Sequence, residues 1–380
     1  MTFVLPPTTP AEAGLRGKQI DRVCRIIERH IAEGRYPGSQ IAIARHGKLA
    51  FFRTFGAARI APEKIAARDD TLWLLFSNTK VVTAAAIWVL VEEGALTFHD
   101  RISDHIPEFA AHGKRDITLF QVLTHQGGFP GAMTALTPDV RRDHALQRKT
   151  VCDITPEWTP GSRVQYHPAA AHWVAAVLIE AVTGGDYRDF IRSRVIEKLG
   201  LGSELFVGMP DREMARAVEM HEPSADGKTQ LKLPDENTDA YRAAGVPSSG
   251  GFATARAMTA FYQALVNGGG LHGRRIVSPR MVQYVTRNFT GDRIDTFMNM
   301  PMHRGLGPHS RGETAFIRGL GSIASPRAFG HGGVGSSYCW GDPDSGVSFA
   351  YLSNSRVPDP WHSRRMDIIS SGIHAAIEEP

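Results

Sequence analysis

Cysteine is scarce in this sequence, and no two cysteines stand close together. The 380 residues include three cysteines, at positions 24, 152 and 339, without a C-x-x-C motif. A disulfide framework and a structural zinc site both need closely patterned cysteines, so we expect neither. Sparse, unpaired cysteines are typical of a reducing compartment.

Basic blocks, a leader segment and long apolar runs are also missing. The net charge is only +4 and the arginines are scattered, which argues against the basic surface that nucleic-acid binding needs. The first residues contain no charged segment followed by an apolar core, and no apolar run is long enough to span a membrane. The sixteen histidines include no H-E-x-x-H motif, so we expect no metal site. We therefore expect a cytoplasmic protein with neither nucleic acid nor membrane as a partner, of unknown oligomeric state.

Hydrophobic spacing predicts an α+β fold with an antiparallel sheet flanked by helices, plus a helical lobe. A helix is predicted over 19–33, and a hairpin of strands over 39–45 and 49–55. Strands return over 328–354, before a last helix over 361–377. We expect residues 1–99 and 247–380 to form the sheet domain together and residues 100–246 to form a mostly helical domain, with the site in the cleft between them.

The most informative motif is Ser77-Asn78-Thr79-Lys80, at the start of a helical run. Residues 81–90 are apolar on all sides, which predicts a buried helix that ends near Gly94. Positions three apart are neighbours on a helix, so Lys80 can reach the Ser77 hydroxyl. A serine needs such a base to become a nucleophile. The alternative is that S-x-x-K occurs by chance and that Ser77 only caps the helix.

A second motif, Tyr166-His167-Pro168, immediately precedes another helical run. Proline suits the first turn of a helix, where its missing N–H costs nothing, so Tyr166 lies on the loop before it. A tyrosine beside a lysine ammonium can have its pKa lowered and act as a general base. For a lone tyrosine, packing or a structural hydrogen bond is the alternative.

A third motif is the glycine-rich segment 329–335, FGHGGVG, at the start of a predicted strand. Small residues let the backbone approach a ligand closely, and a backbone N–H there can stabilise an oxyanion. No helix follows, so the match to G-x-G-x-x-G does not indicate a dinucleotide site. No G-x-S-x-G accompanies it, which argues against an α/β-hydrolase oxyanion loop. A plain glycine-rich turn is the remaining alternative.

In this order, the motifs resemble those of the serine β-lactamase/penicillin-binding-protein superfamily, near class C β-lactamases, family VIII carboxylesterases and related acyltransferases. Residues 77–80 match the S-x-x-K of that superfamily. Residues 166–168 stand where it has Y-x-N, and residues 331–333 stand where it has K-T-G or, in many esterases, H-x-G. Further matching segments at 122–129 and 248–258 extend the resemblance over nearly the whole chain.

The resemblance implies a β-lactamase/transpeptidase-like fold and an acyl-enzyme mechanism without a metal or organic cofactor. Ser77 would attack a carbonyl carbon, with Lys80 and Tyr166 sharing its proton. The backbone N–H groups of Ser77 and Val334 would form the oxyanion hole. We expect the substrate-binding residues to come from the third motif, from the position after Tyr166 and from the strand beyond: His331, Gly332, Gly333, His167 and Trp340.

Two departures from the pattern of the superfamily favour esters over β-lactams. Pro168 replaces the asparagine of Y-x-N and removes an amide that in relatives binds the substrate and the lysine. His331 replaces a cationic lysine, so the positive charge for a β-lactam carboxylate is gone or depends on pH.

We therefore expect a serine hydrolase that cleaves small-molecule carboxylic esters. An acyltransferase, a β-lactamase or D-amino-acid amidase, and a non-catalytic binding protein of the same fold stay open as alternatives. The segments that shape the pocket carry no motif for the substrate. Met298, Met300 and Met302 are candidates to line that pocket, with internal packing as the default.

Overall fold

The strands of five or more residues lie near the two ends of the chain, as the sequence predicts. The structure is a computed structural model that describes residues 3–131, 137, 139–316 and 318–378. Its strands are β1 (Gly38–Arg45), β2 (Lys48–Arg59), β3 (Ile65–Ala66), β4 (Trp73–Leu74), β5 (Leu205–Val207), β6 (His221–Pro223), β7 (Gln230–Lys232), β8 (Gly251–Ala253), β9 (Gly270–Leu271), β10 (Arg274–Arg275), β11 (Ile294–Asp295), β12 (Met300–Pro301), β13 (His309–Ser310), β14 (Phe329–Gly333), β15 (Ser337–Asp342) and β16 (Val347–Ser353). Its helices are α1 (Gly17–Ala32), α2 (Thr79–Glu92), α3 (Ile102–His105), α4 (Leu119–Leu123), α5 (His144–Cys152), α6 (Ala170–Thr183), α7 (Tyr187–Ile191), α8 (Asp239–Ala244), α9 (Ala255–Val266), α10 (Pro279–Val285) and α11 (Trp361–His374).

One large sheet joins the two ends of the chain. Its strand order is β13-β14-β15-β16-β1-β2-β3. Strand β1 pairs antiparallel on both sides, with Ser39 opposite Ser353 of β16 and Gly38 opposite Gly56 of β2. The α+β class and the antiparallel sheet are thereby confirmed. The division into domains at residues 99 and 247 stays a prediction.

Strand β1 separates two hydrophobic cores because successive side chains point to opposite faces of a sheet. Ala42 and Ala44 belong to the larger core, which also contains residues of α2, α6 and α9. Ile41 and Ile43 belong to the smaller core, together with residues of α1 and α11. Helices thus cover both faces, which explains why β1 is buried throughout and shows no polar alternation.

Helix α2 is apolar on all sides because it is surrounded by protein. Residues 79–90 are buried, and helices α6 and α7 pack against them. The Trp88 indole donates to the carbonyl oxygen of Leu306 at 2.8 Å. The helix ends at Glu92, and Gly94 has a φ of 75°, which confirms the predicted stop. Among the described residues, no helix is both long and apolar enough to cross a membrane.

A buried ion pair holds the β11–β12 hairpin together, and its carboxylate also binds the loop that precedes α6. Asp295 Oδ2 accepts from Arg304 Nη2 at 2.7 Å, and both side chains are almost fully buried. Asp295 Oδ1 accepts from the backbone N–H of Tyr166 at 3.0 Å. It also accepts from the N–H groups of Phe297 at 3.1 Å and Met298 at 3.2 Å. One carboxylate therefore sets the position of the hairpin relative to Tyr166.

We expect Asp295→Asn to destabilise the protein by about 3–5 kcal/mol, because it leaves the buried Arg304 guanidinium without its counter-charge. Chemical unfolding followed by fluorescence measures the change. Glu28→Gln is the control, since the Glu28–Arg53 pair is about half exposed and exposed pairs contribute little. An Asp295→Asn variant as stable as the control would contradict the importance of this pair.

Candidate active site

Ser77 lies on a tight turn that is held from several sides. The turn, Phe76–Asn78, is one 3₁₀ segment in front of α2, and Phe76 has a φ of 44°, a left-handed conformation that is uncommon for a bulky residue. The Asn78 amide donates to the Leu75 carbonyl oxygen at 3.2 Å and to Ser337 Oγ at 2.9 Å. Asn78, not Ser77, occupies the N-cap position of α2. The Ser77 hydroxyl is therefore available for other contacts.

Lys80 is completely buried beside that hydroxyl. Its Nζ lies 3.1 Å from Ser77 Oγ, 2.8 Å from the carbonyl oxygen of Pro168 and 2.9 Å from that of Ser248. Within the described residues no carboxylate pairs with it. Burial, assisted by the positive charge of Arg304, lowers the Lys80 pKa well below its ordinary value. Pro168, which stands at the asparagine position of the Y-x-N pattern, thus contacts the lysine through its backbone carbonyl.

Tyr166 approaches Ser77 from the other side. Its Oη donates to Ser77 Oγ at 2.7 Å, and its ring lies 5.1 Å from Lys80 Nζ and 4.8 Å from the guanidinium carbon of Arg304. Burial raises the Tyr166 pKa to about 12, against the opposing effects of the Ser77 hydrogen bond and Arg304. The expectation of a lowered tyrosine pKa is therefore wrong, because burial outweighs the nearby positive charge.

The third motif places strand β14 directly against the Ser77 turn. A Cβ atom on Gly333 would overlap the Leu75 carbonyl oxygen and the Ser337 hydroxyl, so only glycine fits there. Val334 follows and is 55% exposed, and it lines the same cleft as Ser77. The predicted oxyanion-hole residues are thus brought together at the cleft, although their role in stabilising an oxyanion stays a prediction.

His331 lies on β14 inside the site and is neutral near neutral pH. Burial, assisted by the neighbouring Lys80 and Arg304 side chains, lowers its pKa to about 3. Its Nδ1 lies 2.8 Å from the carbonyl oxygen of Gly332, which places the single ring proton on that nitrogen. His331 therefore supplies no positive charge for a substrate carboxylate.

The cleft at Ser77 has a volume of about 270 Å³, which suits a small molecule. Strand β14, the β11–β12 hairpin and the first turns of α11 enclose it. Of the predicted catalytic, oxyanion-hole and substrate-binding residues, those that line it are Ser77, Tyr166, His331, Gly332, Gly333 and Val334.

Two predicted substrate-binding residues lie outside the cleft. His167 is fully buried, stacks on Trp158 with ring centroids 6.0 Å apart, and has its pKa lowered to about 3 by burial. Trp340 stacks on His374 with ring centroids 4.1 Å apart and donates to Ser370 Oγ at 3.1 Å. The structure does not bring either residue to the cleft: the His167 ring packs against Trp158, and α11 covers the part of β15 that carries Trp340.

Three residues of the site are not evident from the motifs. Ser248 provides a carbonyl oxygen to Lys80. Asp295 accepts a hydrogen bond from the backbone N–H of Tyr166, and the Arg304 guanidinium lies over the Tyr166 ring. The segment 248–258 belongs to the matching segments of the sequence, which is a signal for Ser248. Nothing in the sequence connects Asp295 and Arg304 with Tyr166, which lies more than a hundred positions earlier.

A group of metal-type ligands lies away from the cleft. His144, Glu180 and Asp186 bring three ligand atoms within 4.8 Å of one another. The Arg188 guanidinium donates to Asp186 at 3.0 Å and lies 2.9 Å from His144 Nε2. Because this guanidinium already provides positive charge among the carboxylates, we assign no metal to the group.

Known proteins are similar to this chain over most of their length. Esterase/beta-lactamase LipL of Mycobacterium tuberculosis is 29% identical over 316 residues, which cover 75% of this chain and 70% of LipL. A penicillin-binding protein homologue from Caulobacter crescentus superposes with a TM-score of 0.81 at 28% identity, covering 96% of this chain and 99% of that one. A family VIII carboxylesterase superposes with the same TM-score and coverage at 26% identity.

The family comparison spans nearly the whole chain. The sequence model of the Beta-lactamase family matches residues 23–371, a stretch that includes all three motifs. The α+β architecture described above agrees with the two solved structures across their lengths. The protein therefore belongs to the Beta-lactamase family and has its β-lactamase/transpeptidase-like fold.

Proposed function

We propose that the protein is a serine hydrolase that cleaves carboxylic esters through an acyl-enzyme on Ser77. The observation that carries the proposal is the contact of one serine hydroxyl with a buried lysine amine at 3.1 Å and a tyrosine hydroxyl at 2.7 Å. Relatives whose names include an esterase and a family VIII carboxylesterase support the reaction class. The site lies in a cleft of small-molecule size.

Lys80 is the base that takes the proton of Ser77. A neutral amine has two N–H donors and one lone pair. The carbonyl oxygens of Pro168 and Ser248 accept the two N–H groups, so the lone pair points toward Ser77 Oγ. The pKa of Lys80, lowered well below its ordinary value, favours this neutral form. The hydroxyl can therefore transfer its proton to Lys80 as its oxygen attacks the ester carbonyl carbon.

Tyr166 acts as a neutral proton donor and carrier. With a pKa of about 12 it keeps its phenolic proton, which it donates to Ser77 Oγ. When the ester C–O bond breaks, Tyr166 passes its proton to the leaving alkoxide and takes the proton held on Lys80. In the second half of the reaction, water attacks the acyl carbonyl and its proton returns along the same groups to Ser77. The products are an alcohol and a carboxylic acid.

The rest of the site favours esters over β-lactams. The backbone N–H groups of Ser77 and Val334 stabilise the oxyanion in this proposal. His331 is neutral, and the guanidinium of Arg304 is paired with Asp295, so neither offers a free charge to a β-lactam carboxylate. An ester also has a better leaving group than an amide, which reduces the demand on proton transfer.

Ser77→Ala should reduce hydrolysis of p-nitrophenyl acetate and butyrate by at least about 10³-fold, because it removes the nucleophile. It should also abolish the acyl adduct in intact-mass spectra. Ser193→Ala, an exposed helix serine, is the matched control and should keep both. An adduct that forms without turnover would indicate an acyltransferase, and the absence of any adduct in the wild type would contradict the proposal.

The dependence of kcat/KM on pH should report the protonation of Lys80. A base must be unprotonated to act, so kcat/KM should rise with pH, with a midpoint well below the ordinary lysine value of about 10.4. Because Tyr166 stays protonated to about pH 12, no alkaline loss from it should follow within the stable range. Tyr166→Phe should lower kcat by about 10²–10⁴-fold. Steady-state kinetics with an ester whose product is detectable at all pH values measure both.

Lys80→Arg is the informative comparison, because a guanidinium stays protonated throughout this range. It should lose activity at every pH, with folding checked by circular dichroism. A wild-type midpoint near the ordinary lysine value would rule out a neutral Lys80 as the base.

A further inference from the structure

Three methionines in and directly after the β11–β12 hairpin meet at the cleft. Met298 lies in the turn between β11 and β12, Met300 is the first residue of β12, and Met302 follows that strand. All three line the cleft that contains Ser77. Together they form a surface that we call the methionine wall. Internal packing, the default from the sequence, does not account for a surface that faces the nucleophile.

The position of the methionine wall is coupled to the catalytic tyrosine. Asp295 Oδ1 accepts from the N–H of Met298 at 3.2 Å and from the N–H of Tyr166 at 3.0 Å. The Phe297 ring, next to Met298, lies 5.7 Å from the Tyr166 ring. The hairpin therefore holds its apolar side chains at a defined place beside Ser77.

The exposure of these side chains points to a ligand. Phe297 is 53% and Met298 37% exposed, although both are apolar, whereas Met302 at the inner end is only 6% exposed. Exposed apolar groups at the mouth of a cleft contribute nothing to folding while they face solvent. Methionine has an unbranched, flexible side chain that adapts its shape to different apolar partners.

The charge and the partners of the polar groups around the methionine wall bear on the kind of substrate that it binds. His331 is neutral, and Arg304 is paired with Asp295. The Arg318 guanidinium, which also lines the cleft, donates to the carbonyl oxygens of Ser310 at 2.7 Å and Pro301 at 3.4 Å. The methionine wall itself is apolar, so an uncharged chain is the better match for the side of the cleft that it forms.

We propose that the methionine wall binds a flexible, unbranched aliphatic chain of the ester substrate and sets its length preference. The inference rests on the proposed ester hydrolysis at Ser77 and names its substrate class. The chain belongs either to the acyl group or to the alcohol, and both share the same apolar chemistry. Phe297 and the methionine wall would remove that chain from water as the ester carbonyl reaches Ser77.

Two ester series test the proposal and show whether the acyl group or the alcohol carries the bound chain. The acyl chain is lengthened from acetate to octanoate in p-nitrophenyl esters, and the alcohol is lengthened from ethyl to octyl in acetate esters. Each methylene that the wall buries should raise kcat/KM about fourfold. The series that shows this rise identifies the side of the ester that contacts the wall.

The decisive variant is Met298→Gln/Met300→Gln, which places polar groups on the two outer positions. The ratio of kcat/KM for hexanoate to that for acetate, or for hexyl to ethyl esters, should fall by at least about tenfold. Met298→Leu/Met300→Leu keeps the apolar surface and should preserve the ratio within about twofold. Met214→Gln makes the same change at a half-buried methionine outside the cleft and should also preserve it. Melting temperatures of all variants identify any general loss of stability.

An unchanged ratio in both series for Met298→Gln/Met300→Gln would overturn the proposal while leaving ester hydrolysis intact. Failure of the proposed function is distinguishable, because the wild type would then hydrolyse no ester of either series. A ratio that falls equally in the leucine variant would also overturn it, since that variant retains the apolar wall.

Discussion

The proposed chemistry of this site depends on one amine that is buried without a carboxylate partner among the described residues. Lys80 contacts the carbonyl oxygens of Pro168 and Ser248 and the hydroxyl of Ser77. Carbonyl oxygens can accept two protons of a neutral amine, but they carry no charge that would neutralise an ammonium. Burial therefore favours the free base at this position. The surrounding structure places the Ser77 hydroxyl 3.1 Å from this amine.

Segments far apart in the chain supply that placement, so the sheet and the helical lobe are both needed. The N–H of Gly251 donates to Thr79 Oγ1 at 2.9 Å, and Asn78 contacts Ser337 of β15. Asp295 connects the Tyr166 loop to the hairpin that carries the methionine wall. A change in the hairpin can thus affect both the apolar surface and the position of the tyrosine.

The local part of the site could be predicted from the sequence, and the long-range part could not. Ser77 and Lys80 meet within one helical turn, so their spacing was sufficient. Asp295 lies far from Tyr166 in sequence, and no periodicity reports such a contact. The position of Trp340 away from the cleft could not be predicted. Alternation along β15 gives the face on which a residue lies, but it does not show which stretch of the strand α11 covers. The sign of the Tyr166 pKa shift depends on burial, which a motif does not encode.

The most direct test of a neutral Lys80 is its own titration. Lysines labelled with ¹³C at Cε give NMR shifts that report the charge of each amine, and a Lys80→Met variant assigns the resonance. The account predicts that Lys80 titrates well below the ordinary lysine value of about 10.4 and separately from the exposed lysines. A Lys80 resonance that titrates together with the exposed lysines would contradict it.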